Sequence, residues 1–122
     1  MSDAVYPRAS RESRERRRQH APEAMAAFEA FSRQVFAKGA LSVKMKQLIA
    51  VAVAHVTQCP YCIRSHTLAA AREGATRKEI MEAIWVAAEM RAGAAYAHSA
   101  IAEDAMDDVK VSCEAIPIPL HQ

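Results

Sequence analysis

The chain has 122 residues, which suits one small domain, because a domain of this size hides roughly two thirds of the surface that its unfolded chain exposes. Hydrophobic residues make up 52% of the chain and glycine is rare, and such alanine-rich composition favours packed helices over sheets. The net charge of +2 is too small to suggest nucleic-acid binding by the body of the chain. We therefore expect an all-α protein of one domain that needs neither a metal nor a disulfide to fold.

Residues 1–20 form an arginine-rich N-terminal arm. The arm contains six arginines and three acidic residues, so it carries a charge of +3 and the rest of the chain −1. Polar side chains on every side predict either disorder or a helix that becomes ordered against a partner subunit. No apolar stretch follows these charges, and the longest apolar run, 48–54, is too short to cross a membrane. We expect a soluble, cytoplasmic protein with no membrane and no nucleic-acid partner.

Residues 21–108 are predicted to form the helical domain, whose first two helices follow from apolar periodicity. The first begins at Pro22, a residue suited to a first helical turn, and ends near Gly39. Ser42 is a plausible N-cap for the second. The second helix is apolar on nearly all sides over residues 45–56, which predicts a central, buried helix.

Two further helices are predicted downstream. The third runs from Pro60 to Arg72, with Gly74 at a left-handed C-cap position. Thr76 and Glu79 then make a capping box that opens the fourth, which continues through a bend at Gly93. Residues 109–122 are predicted to form an extended tail, because their two prolines at alternate positions forbid a regular helix. The apolar positions expected to face inward on the fourth helix are Ile80, Ile84, Ala87, Ala88 and Met90.

The stretch TQCPYCIRSH, residues 57–66, holds the strongest chemical signal. On a helix that begins at Pro60, the spacing of Cys59, Cys62 and His66 places all three on one face. The positive end of the helix dipole lies beside the sulfurs and stabilises a thiolate. This arrangement fits reduction of a substrate by one thiol, followed by closure of a disulfide.

The cluster also has other interpretations. Zinc would need a fourth ligand such as His55 or His98, and the usual second pair of closely spaced ligands is missing. Haem attachment is excluded because Ile63, not histidine, follows the second cysteine. Two small buried thiols beside a structural histidine remain a possibility. We expect no metal.

The segment KQLIAVAVAHVTQCPYCIRSHTLAAAREGATRKEIMEAIWVAAEMRAGAAYAHS resembles the core of the alkylhydroperoxidase D-like family, within the carboxymuconolactone decarboxylase superfamily. The resemblance covers about residues 41–98, and three features carry it: the C-x-x-C-x-x-x-H motif, the apolar helix before it and the G-A-[ST]-x-x-E-I connection after it. It implies an all-helical fold that associates into homo-oligomers, as trimers or hexamers. It also implies an antioxidant, peroxiredoxin-type peroxidase activity that uses a redox-active disulfide and no other cofactor.

The resemblance also implies roles for the motif residues. Cys62 would be the thiolate that attacks a hydroperoxide, Cys59 the thiol that resolves the product into a disulfide, and His66 a member of a proton relay. An external dithiol, lipoyl-linked in the best-known relatives, would then reduce the disulfide.

Two residues depart from the family pattern. Gln47 stands where peroxidase members carry a glutamate, and it can hold a hydrogen bond but cannot take a proton. Tyr61 stands where they often carry a histidine. Possible substitutes in the relay are Glu89, a carboxylate among apolar residues, and His55, in the helix before the motif.

Two other functions remain open. A lactone decarboxylase would need cations to hold a carboxylate, for which Arg64, Arg72 and Arg91 are candidates only by charge, and such relatives typically lack the cysteine pair. A non-catalytic oligomeric module that senses redox state is the other. Trp85 is expected in the core or an interface, and Cys113 is expected to be an incidental thiol.

Overall fold

The computed structural model describes residues 5–114, so residues 115–122 of the predicted tail at 109–122 lie outside the described residues. Five helices follow one another within the described range: α1 Arg11–His20, α2 Pro22–Phe36, α3 Val43–Thr57, α4 Pro60–Arg72 and α5 Arg77–Asp108. Residues 5–114 contain no strand, which confirms the all-α class. None of the helices in this range is long and apolar enough to span a bilayer.

Side-chain caps fix where the helices start. Ser42 Oγ accepts the backbone N–H of Met45 at 3.1 Å, as its N-cap position predicts. Thr76 Oγ1 accepts the N–H of Glu79 at 3.1 Å, and the Glu79 carboxylate accepts the N–H of Thr76 at 2.9 Å. This reciprocal pair satisfies two backbone donors at the start of α5, and it confirms the predicted capping box.

Helix α3 is central, because it packs against both α4 and α5. Its buried residues are Gln47, Val51 and Ala54, and the other buried residues in the described range are Ala70 of α4 and Ala87 of α5. The prediction that α3 is buried on nearly all sides is wrong for the single chain. Four of its apolar side chains keep 44% to 52% of their surface exposed: Met45, Ile49, Val53 and Val56.

Helix α5 has 32 residues and continues without interruption through Gly93. Ala87 is buried and Ile84 half-buried, as predicted, whereas Ala88 and Met90 are exposed. The inward assignment of these two residues is wrong for the single chain, because only α3 covers a broad face of α5. Trp85 is 69% exposed and therefore lies outside the core.

Half of the arginine-rich arm, residues 11–20, is helical in the single chain. Residues 11–20 form α1, whose N-cap Ser10 accepts the N–H of Ser13 at 3.1 Å. Arg18 of α1 pairs with Glu29 of α2 at 2.6 Å and with Glu15 at 3.4 Å. Of the two alternatives for this segment, the helix is the one observed, and the contacts that hold it come from the same chain.

Candidate functional site

The turn between α3 and α4 sets the position of the first cysteine. α3 ends at Thr57, and Gln58 then adopts a left-handed conformation with φ of 58°. Cys59 follows in an extended conformation as the N-cap of α4, and Pro60 takes the first helical position. Because an N-cap side chain folds back over the first turn, Cys59 Sγ points toward the backbone of Cys62.

The two motif cysteines are free, half-buried thiols in direct contact. Their Sγ atoms lie 2.6 Å apart, and Cys59 Sγ also accepts the backbone N–H of Cys62 at 3.3 Å. Either sulfur can supply the hydrogen between the pair, and the hydrogen bond from the Cys62 N–H goes to Cys59 Sγ. The hydrogen is therefore better placed on Cys62, and the negative charge on Cys59.

The pKa values of the two thiols separate accordingly. The hydrogen bond from the Cys62 thiol, with backbone N–H groups of the first turn, lowers the pKa of Cys59 below its ordinary value. The same S–H contact, together with partial burial, raises the pKa of Cys62. The pair thus loses its first proton readily and its second reluctantly, as two coupled groups sharing one charge do.

His66 lies one turn further along α4 and is held from two sides. Its Nδ1 is 2.7 Å from Oε1 of the buried Gln47, and its ring stacks on Phe36 with centroids 5.1 Å apart. Since an amide oxygen only accepts, Nδ1 carries the hydrogen and Nε2 keeps its lone pair. Burial lowers the pKa of His66, so the ring is a neutral base at neutral pH.

Cys62 and His66 border a cavity of about 400 Å³, here called the apolar cavity, between α2, α3 and α4. Its remaining wall is mostly apolar and includes Phe36, Ile49 and Val53. Lys46 stands at its edge and donates from Nζ to the backbone oxygens of Val35, at 2.8 Å, and Ala37. These bonds satisfy carbonyls at the end of α2 and hold that helix over the cavity.

The structure brings together four of the residues singled out from the sequence: Cys59, Cys62, His66 and Gln47. It does not bring His55 or Glu89 to the apolar cavity. His55 Nδ1 bonds to the carbonyl oxygen of Val51 at 2.7 Å, and Glu89 is exposed on α5. Neither residue borders the apolar cavity within one chain, and their part in a relay stays a prediction.

Tyr61, between the cysteines, has a different partner from the one expected of a relay residue. Its hydroxyl donates to the backbone oxygen of Pro7 at 2.6 Å, and its ring meets Tyr6 edge-on at 6.1 Å. Tyr61 thus anchors the N-terminal arm beside the thiol pair. No sequence pattern links residues 54 positions apart in this way. Phe36 and Lys46, which also line the apolar cavity, are not predicted as site residues because periodicity marks them only as helix residues.

Within residues 5–114, no group of three or more His, Cys, Asp or Glu side chains is arranged to hold a metal ion.

The chain matches a known protein family. The model of the carboxymuconolactone decarboxylase family matches residues 22–104. An uncharacterized protein of the cox locus of Paracoccus denitrificans is 66% identical over 83 residues, which are 68% of this chain and 75% of that protein. An uncharacterized protein of Cupriavidus necator is 39% identical over 83 residues, which are 66% and 74% of the two chains.

Solved structures agree. A Methanobacterium thermoautotrophicum protein superposes with a TM-score of 0.65 at 35% identity, over 68% of this chain and 93% of that one. A carboxymuconolactone decarboxylase family protein of Legionella pneumophila superposes with a TM-score of 0.63 at 33% identity, over 80% and 87%. The helical fold, the matched sequence and the shared core all lead to one conclusion: this chain belongs to the carboxymuconolactone decarboxylase family, whose superfamily includes the alkylhydroperoxidase D-like proteins.

Proposed function

We propose that the protein is a thiol-dependent peroxidase that reduces hydroperoxides while Cys59 and Cys62 alternate between dithiol and disulfide. The observation that carries this proposal is the 2.6 Å contact between the two Sγ atoms at the start of α4. A disulfide can close there with little movement of the chain, and a helix N-terminus favours the thiolate that the chemistry needs. The apolar cavity beside Cys62 suits the organic part of a hydroperoxide.

Cys62 is the sulfur that attacks, because Cys62 lines the apolar cavity and Cys59 does not. Its proton passes to the Cys59 thiolate or to Nε2 of His66, one turn further along the helix. The Cys62 thiolate then attacks the terminal oxygen of the hydroperoxide, and the O–O bond breaks. Cys62 becomes a sulfenic acid, and the departing alkoxide takes a proton to give the alcohol.

Cys59 forms the disulfide with Cys62, and it is the sulfur released when an external reductant opens that disulfide. Its thiolate attacks the sulfur of the Cys62 sulfenic acid and expels hydroxide, which takes a proton to give water. One thiolate of an external dithiol, lipoyl-linked as the family resemblance suggests, attacks Cys62 Sγ and releases Cys59. The second thiolate of the dithiol then attacks the reductant's sulfur in the mixed disulfide and releases Cys62, so the dithiol leaves as a disulfide. The lowered pKa of Cys59 favours the release of Cys59 in the first step, because a thiol of low pKa leaves faster.

Gln47 limits this chemistry in a specific way. Its amide orients His66 through the 2.7 Å bond to Nδ1, but it cannot take the proton that a carboxylate would. We therefore expect turnover slower than a glutamate at this position would support. Gln47→Glu is expected to raise the turnover rate.

Self-association is also part of the proposal. The chain exposes 10802 Å², against about 6,500 Å² for a compact monomer of its mass. An excess of this size, with large apolar side chains such as Phe31 and Trp85 exposed, fits a surface that other copies would cover, in a trimer or hexamer.

Steady-state peroxide reduction with a dithiol donor tests the function. Cys62→Ser should lose turnover completely, and Cys59→Ser should stop after one oxidation with a sulfenic acid on Cys62 that a dimedone probe traps. Cys113→Ser is the matched control, since this exposed thiol lies far along the chain from the motif, and its turnover should equal wild type. A peptide that keeps both thiols reduced after mild peroxide treatment would rule out the redox function. Disulfide formation without turnover would instead support a redox sensor.

A further inference from the structure

A second cavity reaches Cys62 from the side of the N-terminal arm. It has a volume of about 550 Å³ and lies between the N-terminal arm and α4; we call it the arm cavity. Tyr61, Cys62 and Ser65 form its α4 wall. Its facing wall consists mostly of residues 7–17, which precede the part of the chain matched by the family model.

The arm cavity is basic. Arg8, Arg14 and Arg17 line it, and none of the lining residues described by the structure is acidic. Within residues 5–114, the only arginine of the arm that pairs with carboxylates is Arg18, through Glu15 and Glu29. The three lining arginines therefore form no ion pair in the described part of the chain.

Local contacts hold these charges near the thiol pair. The Tyr61 hydroxyl binds the backbone oxygen of Pro7 at 2.6 Å, one residue before Arg8. Arg17 Nε donates to the backbone oxygen of Ser13 at 3.3 Å, which limits the orientations of its guanidinium. Tyr61, which lies between the two cysteines of the motif, thus holds the arm at Pro7. The three lining arginines come after Pro7 along the chain and so lie near the thiol pair.

We propose that the arm cavity is an anion-selective entrance to Cys62, through which a small carboxylate-bearing thiol reaches and reduces the Cys59–Cys62 disulfide. This inference rests on the proposed redox function, and it replaces the lipoyl-linked dithiol suggested by the family resemblance with a carboxylate-bearing thiol as the reductant. Guanidinium groups bind carboxylates with paired, charge-assisted hydrogen bonds, and a cleft lined by one sign of charge raises the local concentration of the opposite sign. The apolar cavity is left for the hydroperoxide, so the two reactants approach Cys62 from different sides.

The reduction balances with two equivalents of the thiol. The thiolate of the first attacks Cys62 Sγ, the bond to Cys59 breaks, and Cys59 leaves as a thiolate. The second thiolate attacks the reductant's sulfur in the mixed disulfide and releases Cys62. Two electrons pass from the reductant, which becomes its own disulfide, to the protein, which returns to the dithiol.

Alkylation of the reduced full-length protein tests the entrance without any need for peroxide activity. Iodoacetate carries a negative charge and iodoacetamide none, and peptide mass spectrometry gives the ratio of their rates at Cys62. Cys113 provides an internal reference for exposed thiols. Arg14→Gln with Arg17→Gln should lower the iodoacetate to iodoacetamide ratio at Cys62 by about three- to tenfold, because two nearby charges are removed.

Arg11→Gln with Arg16→Gln is the matched control. It removes the same charge from the same helix at residues that line neither cavity, and the ratio should stay at the wild-type value. Circular dichroism should show equal helix content in both double variants. A ratio unchanged in the first double variant, or lowered equally in both, would overturn the proposal.

A second measurement connects the entrance to the reductant. The peroxide-formed disulfide is reduced by 3-mercaptopropionate, 2-mercaptoethanol and cysteamine, which carry negative, zero and positive charge. Loss of Arg14 and Arg17 should slow the first about three- to tenfold relative to the second and should speed the third. These differences should shrink at about 1 M salt, where the screening length is only about 3 Å.

The two proposals can fail separately. If peroxide forms no disulfide, the redox function fails, and the alkylation ratios still decide whether Cys62 has a basic entrance. If the disulfide forms but the three thiols respond equally to the loss of Arg14 and Arg17, the redox function stands and the proposed entrance is refuted.

Discussion

Two properties of a reactive thiol, a low pKa and access to reactants, are divided between Cys59 and Cys62. Cys59 receives the helix-cap hydrogen bond and the lowered pKa, whereas Cys62 lines both cavities that reactants would enter. Because the two Sγ atoms lie 2.6 Å apart, a proton can move between them, and the negative charge moves in the opposite direction. A base that stays neutral at physiological pH, His66, lies one turn away and takes its orientation from Gln47.

Gln47→Glu should reverse the way in which the free energy of unfolding depends on pH through His66. In the wild type burial lowers the pKa of His66, so the unfolded chain binds its proton first as the pH falls below about 6.5, and the free energy of unfolding decreases. In the variant, the introduced carboxylate beside Nδ1 would raise the pKa of His66 above its value in the unfolded chain. The stabilisation would then be present at low pH and lost as the pH rises through the folded pKa, by about 1.4 kcal/mol per unit of pKa shift.

Urea unfolding between about pH 5.5 and 8 would show this reversal, and the NMR titration of His66 would give the pKa directly. Gln34→Glu is the control, because it adds the same charge at an exposed position on α2. Equal pH dependence in the two variants would mean that the contact between Gln47 and His66 is not made in solution.

At the scale of the helices, stability depends on turns that admit few residue types. Gly74 closes the turn between α4 and α5 with φ of 89°, a region that L side chains rarely adopt. No atom lies within 4 Å of where a Cβ would stand. A side chain there would therefore be resisted by backbone conformation alone and not by crowding.

Gly74→Ala should lower the free energy of unfolding by about 1 kcal/mol, the usual cost of a left-handed conformation for a residue with a Cβ. Gly74→Asn should cost less, because asparagine tolerates this region better. Gly39→Ala is the control: Gly39 has no positive φ, and its added Cβ would meet only Lys46 Nζ at 3.8 Å. Urea midpoints with an unchanged m-value measure all three, and equal losses at Gly74 and Gly39 would contradict the conformational explanation.

Over the whole molecule, apolar surface is only partly covered by the chain itself. Large side chains on the second and fifth helices stay exposed, among them Phe28, Phe31, Trp85, Met90 and Tyr96, from 60% to 82%. Patches of this kind are uncommon on monomers and typical of surfaces that bind a partner. Their spread over more than one helix fits a closed ring of copies better than a single contact.

Trp85→Ser should weaken assembly, and the single tryptophan also reports on it. In the wild type we expect Trp85 emission to shift to longer wavelength as the protein is diluted and the indole meets water. Sedimentation velocity should show smaller particles for Trp85→Ser at equal concentration. Val5→Ser, which removes an 89% exposed apolar side chain from the arm, should sediment as wild type. A concentration-independent monomer for the wild type would contradict self-association.

The sequence was a good guide wherever a local rule applies. Helix starts at Ser42, Pro60 and Thr76, the turn at Gly74 and the shared face of Cys59, Cys62 and His66 all follow from neighbours within four positions. Coverage by distant segments does not follow, because periodicity shows that a side chain is apolar but not what packs on it. Ala88 and Met90 were misplaced for this reason. The bonds from Tyr61 to Pro7 and from Gln47 to His66 span 54 and 19 positions, beyond any local pattern.

The length of α5 also bears on the size of the particle in solution. A helix of 32 residues is about 48 Å long, and a rod of that length has a radius of gyration of about 14 Å, the same as an entire compact chain of 122 residues. Copies packed side by side along α5 would widen a particle without lengthening it, whereas copies joined end to end would lengthen it in proportion. Small-angle scattering therefore distinguishes these two arrangements even before the number of copies is known.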